Sequence, residues 1–264
     1  MRDDISYVII DTLNHALSSH ALEMSQRRFP LQNVIIYSDR ADCWNGRQII
    51  SIPEIRSARD YNKIIFFDLP VQIKTDYALF IQYDGFVLNG ELFSEQFLHW
   101  DYIGAPWPHF KENNVGNGGF SLRSKKLIRK VQECLLPTDI DAAEDVVICR
   151  YLRARLEDRW NLKFAPAKIA EMFSYEMAKP DFNTFGFHGL SHLPVLMQND
   201  IQTLFDNLQP KSVSKFFRSF RDACEKLPNP QRKSFYDFCM KHQSEMLRHA
   251  ELNLEKQSSR EQII

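Results

Sequence analysis

The sequence predicts an α/β domain with a mostly parallel central sheet, followed by a helical C-terminal tail. Three observations carry that expectation. YVIID (7–11) and NVIIYSD (33–39) are short β-rich apolar runs separated by a segment of helical character, TLNHALSSHALEMSQRRF, which is the spacing of a βαβ unit. Both runs read as strands buried on two faces, as parallel strands usually are. No glycine follows Gly189, and helical patterning dominates from about residue 200.

The remaining elements follow in order. QIISIPEI (48–55) reads as a third strand that Pro53 limits. Residues 56–75 fit either helix or strand, with a helix ending before Pro70 as the favoured reading. DYALFIQYDGFVL (76–88) reads as strand, turn, strand, with Asp84-Gly85 as the turn signal. WDYIGAPWP (100–108) is an aromatic segment broken by glycine and proline. GNGGFSLRS (116–124) is a glycine loop before a helix over about 124–135. In TDIDAAEDVVICRYLRARL (138–156), Asp141 with Glu144 three residues on predicts a capped helix start. FNTFGFHGL (182–190) is an aromatic, glycine-containing loop. The tail divides at Pro228 and Pro230. The expected domains are 1–200 and 201–264.

The totals narrow the function classes. A chain of 264 residues with 44% hydrophobic and 25% charged residues has the balance of a globular protein with a real core. A net charge of −1 gives no field that would select nucleic acid. The five cysteines are widely spaced with no CxxC, which fits a reducing compartment rather than a disulfide framework or a zinc knuckle. The N-terminus reads as neither a signal peptide nor a membrane span, and no apolar segment reaches the roughly 18 residues needed to cross a bilayer. The expected location is cytoplasmic. Peripheral attachment at the inner face of the membrane stays open through the tail, where Phe216, Phe217 and Phe220 interleave with Lys215, Arg218 and Arg221. Packing of that aromatic face on the protein itself is the plainer reading, and dimerisation through the tail is a third.

All of the nine glycines except Gly46 lie between 85 and 189, among the candidate polar groups. Glycine is placed where the backbone needs positive φ or where something must come close. The stretch around Gly118 and Gly119 is therefore either a tight turn or a cradle for substrate. Strand ends of open α/β sheets are where ligands bind. There Asp84 could hold a divalent cation, with Gln82, two residues away, pointing the same way on an extended backbone; the alternative is a simple Asp-Gly turn. In AEDVV, Glu144 completes the cap, which leaves Asp145 as the carboxylate available for general-base chemistry. His188, between Gly186 and Gly189, is a candidate metal ligand or a structural histidine. His192 would join it only on a helix, which Gly189 and Pro194 oppose.

In sequence, QYDG, FLHWDYIGAPWP, VGNGGFSLRSKKL, EDVVICRYL and FGFHG resemble an uncharacterised family of glycosyltransferase-type domains found largely in bacteria. The likeness runs from about Ala78 to His188. The second half is also similar to the β-1,3-galactosyltransferase and Fringe group, which implies the GT-A fold and a nucleotide-sugar donor. On that resemblance Asp84 takes the last position of an Asp-x-Asp metal motif, while Gln82 stands where its first acid would be. Asp145 becomes the base, His188 the second metal ligand, and Mn²⁺ or Mg²⁺ the cofactor. Asn117, Gly118, Gly119 and Glu144 fall in the donor and acceptor region. Asp11 and Asp39, at the ends of the first two strands, are candidates for base or ribose contacts by geometry only. The aromatic run 100–108 could stack on sugar rings or lie in the core.

The expected activity is metal-dependent, inverting transfer of a sugar from a nucleotide-sugar to a hydroxyl of a glycan or related acceptor, with no nucleic-acid partner. The rival is a nucleotide- or glycan-binding module that has lost catalysis, which the Gln82 departure keeps open. A nucleotidyltransferase fits less well, because the N-terminus has no basic, glycine-rich triphosphate loop.

Overall fold

A computed structural model describes residues 1–136, 138–177, 182–214 and 216–261, with the side chains of 139 and 247–261 outside that description. The chain forms two compact units, Met1–Gly189 and Leu190–Ile264.

The first unit is α/β. Its central sheet has six strands: β1 (Arg2–Ile10), β2 (Leu31–Ser38), β3 (Ile50–Ser51), β4 (Tyr77–Phe80), β5 (Tyr102–Ile103) and β6 (Ser121–Ser124), in the order β3-β2-β1-β4-β6-β5. β1 pairs in parallel with both β2 and β4, and β2 with β3. β6 runs antiparallel to β4 and β5, with Phe80 opposite Ser121. The start of β6 therefore lies at the edge where β1, β2 and β4 end. This geometry positions the site.

Alternation along β1 explains its unbroken apolar run. Val8 and Ile10 enter one core with Phe80, Tyr102, Phe66, Leu127 and Ile148, whereas Tyr7 and Ile9 enter the other with Leu22, Leu79, Phe120, Phe173 and Phe185. The helix His15–Arg28 connects β1 to β2, as the βαβ spacing predicts.

Four local expectations are corrected. The helix that begins at Ala58–Lys63 does not stop before Pro70; it passes through a π-helical turn, Ile64–Asp68, into Leu69–Gln72. Proline is tolerated there because it opens the last segment, beyond the wide turn. The segment after Asp84-Gly85 is not a strand, since Val87 makes only an isolated bridge to Gly186. SLRS is strand β6 rather than loop, and Ser124 caps the following helix, Lys125–Val131, by accepting from the Leu127 N–H. The helix of the EDV motif starts at Glu144–Val146, with Ala143 at its cap and no side chain capping it. Asp141 instead pairs with Arg59, and Asn62 donates to the carbonyls of Ile140 and Ala142.

The second unit is helical, with Ile201–Asn207, Phe217–Cys224 and Asn229–Glu261 as its main elements. Phe220 is buried and packs with Phe205 and Phe235, so part of the aromatic stripe serves this unit's own core. Phe216 is exposed, and Lys215 lies outside the described residues. His192 belongs to a short 3-10 turn, Leu190–His192, in this unit. Among the described residues no helix is long and apolar enough to cross a membrane. Each of the five cysteines is free.

Candidate functional site

Asp11 and Asp39 follow the ends of β1 and β2. The carboxylate of Asp11 is spent locally: it accepts from the N–H groups of Leu13 and Asn14 and from the Ser18 hydroxyl, at the entry to the helix His15–Arg28. Burial raises its pKa, against the pull of those hydrogen bonds. Asp39 lies at the surface, with Oδ1 2.6 Å from Nε2 of His15. Neither residue joins the cluster described next.

Past β4 the chain makes a tight turn. Gln82 and Gly85 exchange backbone hydrogen bonds of 2.8 and 3.0 Å, so the backbone is folded at Asp84 rather than extended. The expectation that Gln82 and Asp84 point the same way along a strand is corrected on that account. Gln82 Nε2 donates to the Tyr61 hydroxyl over 3.2 Å. Asp84 is buried, and its Oδ1 has no hydrogen-bond partner. That oxygen faces Nε2 of His188 at 3.5 Å.

The glycine loop lies against this turn. Asn117 takes the positive φ, +73°, and its Oδ1 accepts from the N–H groups of Gly119 and Phe120. The glycines serve close approach instead. A Cβ on Gly119 would stand 2.1 Å from His188 Nε2, and one on Gly118 would stand 2.1 Å from Glu144 Oε1. Two of the protein's own candidate side chains thus occupy the space beside the two glycines.

Asp145 closes the other side of the loop. Its Oδ2 accepts from the Gly118 N–H over 3.0 Å and its Oδ1 from the Val146 N–H over 2.8 Å. Burial and the neighbouring Glu144 charge push its pKa up to about 6, against those hydrogen bonds and the Arg123 charge. Glu144 is buried in an ion pair, with Oε1 2.5 Å from Arg123 Nη2. It is therefore a packing and charge partner rather than the completion of a cap.

His188 is held from two sides. Nδ1 lies 3.0 Å from Glu176 Oε1 and 3.0 Å from Asn117 Nδ2, while Nε2 faces Asp84. Burial on its own would lower its pKa, but the nearby Asp84 carboxylate and the hydrogen-bonded Glu176 carboxylate carry it up to about 10. The ring is an imidazolium at neutral pH when no cation competes for Nε2.

The fit of a divalent cation can be judged from these groups. Among the described residues no group of three or more His, Cys, Asp and Glu side chains is arranged to hold a metal. The chain offers two groups: Asp84 Oδ1, which accepts no hydrogen bond, and, once deprotonated, His188 Nε2. Two protein ligands suit Mg²⁺-type ions that take their other ligands from phosphate and water. Glu176 would orient the ring by accepting a hydrogen bond from Nδ1–H, as outer-shell carboxylates do for ligating histidines.

The structure therefore gathers Asp84, Asn117, Gly118, Gly119, Glu144, Asp145 and His188 around one loop, and leaves Asp11 and Asp39 outside that cluster. It adds three residues that sequence reasoning missed: Tyr61, Arg123 and Glu176. Tyr61 and Glu176 lie outside the quoted motifs, and Arg123 lies inside GNGGFSLRS, where no local pattern marks it as buried. The aromatic run 100–108 is largely core, because Tyr102 and Trp107 are buried. Elsewhere in the unit a 450 Å³ cavity is lined by residues that include Ile52, Ile55, Arg56, Lys63 and Asp68.

No curated protein matches the chain. A solved structure described as a glycosyltransferase involved in the glycosylation of the major capsid of PBCV-1 is 10% identical, with a TM-score of 0.48 over 70% of this chain and 91% of that one. A protein family matches residues 54–188, the stretch that contains every member of the cluster. The chain belongs to that family, described as a protein of unknown function (DUF5672).

Proposed function

We propose that the chain is a metal-dependent, inverting glycosyltransferase that moves a sugar from a nucleotide-sugar donor to a hydroxyl of a glycan or related acceptor. The observation that carries this reading is the convergence of Asp84, His188 and Asp145 on one glycine loop, although they are far apart in sequence. The resemblance of the QYDG, GNGGFSLRS, EDV and FGFHG motifs to GT-A enzymes supports the same assignment.

Asp84 and His188 would hold Mn²⁺ or Mg²⁺. The ion would supply positive charge against the diphosphate that leaves when the sugar–phosphate bond breaks. Asp145 takes the proton of the acceptor hydroxyl as the new glycosidic bond forms. With a pKa near 6 it is ionised at neutral pH, yet more basic than an ordinary aspartate, which suits a general base. Its two backbone hydrogen bonds fix the orientation of the carboxylate.

The test is donor turnover with a panel of nucleotide-sugars, with and without Mn²⁺. Asp145→Asn should abolish transfer while leaving donor binding nearly intact, and undiminished turnover would remove Asp145 from the mechanism. The second reading, a binding module without catalysis, is favoured by one feature: a neutral amide, Gln82, stands where the first acid of the metal motif would be, and it bonds to Tyr61. Nucleoside diphosphate binding with no turnover of any donor supports that reading instead.

A further inference from the structure

One buried cation touches both Glu144, the chain neighbour of Asp145, and Gly118, whose N–H the Asp145 carboxylate accepts. Arg123 lies within β6, its side chain 1% exposed. Its guanidinium carbon stands 4.0 Å from the centre of the Phe80 ring and 5.1 Å from that of Tyr102. Nε donates to Ser121 Oγ over 3.0 Å, Nη2 donates to Glu144 Oε1, and Nη2 also faces the Gly118 carbonyl at 3.5 Å. Glu144 directly precedes Asp145 in the chain, and Gly118 gives its N–H to Asp145. Arg123 thus reaches Asp145 by two routes, through the first residue of the helix and through the Gly118 residue.

A buried ion pair adds little stability over apolar side chains of the same volume, and fixing one arrangement is its best-attested use. We infer that Arg123 is a positioning residue for Asp145: through Glu144 and the Gly118 carbonyl it fixes the Asp145 carboxylate on the Gly118 N–H, and it balances the Glu144 charge beside that carboxylate. The catalytic meaning of this role rests on Asp145 being the base; the positioning itself does not. Tyr61, Tyr102 and Cys149 also lie within electrostatic reach of Asp145, and each is held neutral by burial.

The test uses the full chain and needs no donor. One readout is the ¹³C titration of the Asp145 carboxyl, assigned by its loss in Asp145→Asn. The other is hydrogen exchange at the Gly118 amide. Arg123→Met should raise the Asp145 midpoint by about one pH unit, because Glu144 then lacks its counter-charge, and should speed Gly118 exchange about tenfold or more. Arg123→Met with Glu144→Leu removes both charges and guards against misfolding of the single variant. Its midpoint should return towards that of the unaltered protein while Gly118 exchange stays fast. Arg123→Lys should keep the midpoint but not the Gly118 protection, since one ammonium cannot bond Ser121 and also hold Glu144 and the Gly118 carbonyl as Nε and Nη2 do. Unchanged Gly118 exchange in the folded double variant overturns the inference, whatever the midpoint does. Full turnover in Asp145→Asn would remove the base assignment and leave these readouts to decide the positioning.

Discussion

Nε2 of His188 stands 3.5 Å from Oδ1 of Asp84, which accepts no hydrogen bond, while Nδ1 of the same ring meets Glu176 at 3.0 Å. In the metal-free protein the ring therefore sits as a cation between two carboxylates. Its folded-state pKa, about 10, lies above the ordinary value of 6.5. The stability it contributes is complete below about pH 6.5 and is lost as pH rises through about 10. Denaturation in EDTA from pH 7 to 10 should show a steeper loss for the unaltered protein than for His188→Gln. Parallel curves would contradict the ion pairing.

The same proton opposes metal uptake. A cation at Nε2 must displace it, so the apparent Mn²⁺ affinity should rise about tenfold per pH unit between pH 7 and 9. Calorimetry in buffers of different ionisation heat should find about one proton released per ion bound. Affinity that does not vary with pH would exclude His188 as a ligand.

Asp145 costs stability where it is charged. Its pKa rises from 3.8 to about 6 on folding, so the folded state favours the protonated form. Stability is lost as pH climbs from about 4 to 6 and stays lower above that window. Asp145→Asn should therefore be more stable than the unaltered protein at pH 7, by at most about 3 kcal/mol and less where water screens the carboxylate. The gain should vanish below pH 4. A variant destabilised at pH 7 would show that the backbone hydrogen bonds outweigh the burial penalty.

Gly119→Ala should disable the site from outside the catalytic groups. The added Cβ would stand 2.1 Å from His188 Nε2, so the ring must leave Asp84. The expected cost is about 1–3 kcal/mol in stability, with loss of metal-dependent nucleotide binding. Retention of that binding would place the metal elsewhere.

How much of this was legible in the sequence depends on the range of the interactions. β1 and β2 show themselves because both of their faces are buried, which leaves an uninterrupted apolar run. β5 and β6 do not, because they are short and find their partners only in the folded sheet. The capping box at Asp141 and Glu144 failed for a similar reason. Arg59 and Asn62, from a helix far back in the chain, claim Asp141 and the nearby carbonyls, and Arg123 claims Glu144. The glycine loop was visible as a loop, but its tight contacts are with His188 and Glu144, which no local pattern indicates. Asp84, Asp145 and His188 are singled out by their local patterns and given roles by motif order, whereas Tyr61, Arg123 and Glu176 need coordinates.

The central claim is that Asp84, His188 and Asp145 surround one diphosphate site. It is tested most directly by thermal shift with a panel of nucleoside diphosphates, with and without Mn²⁺, on the unaltered protein and Asp84→Asn. Bound ligand raises stability by mass action. One nucleotide should raise the midpoint with Mn²⁺ present, and removing either Mn²⁺ or the Asp84 carboxylate should abolish the rise. A panel with no response, or a response that survives both removals, contradicts the account.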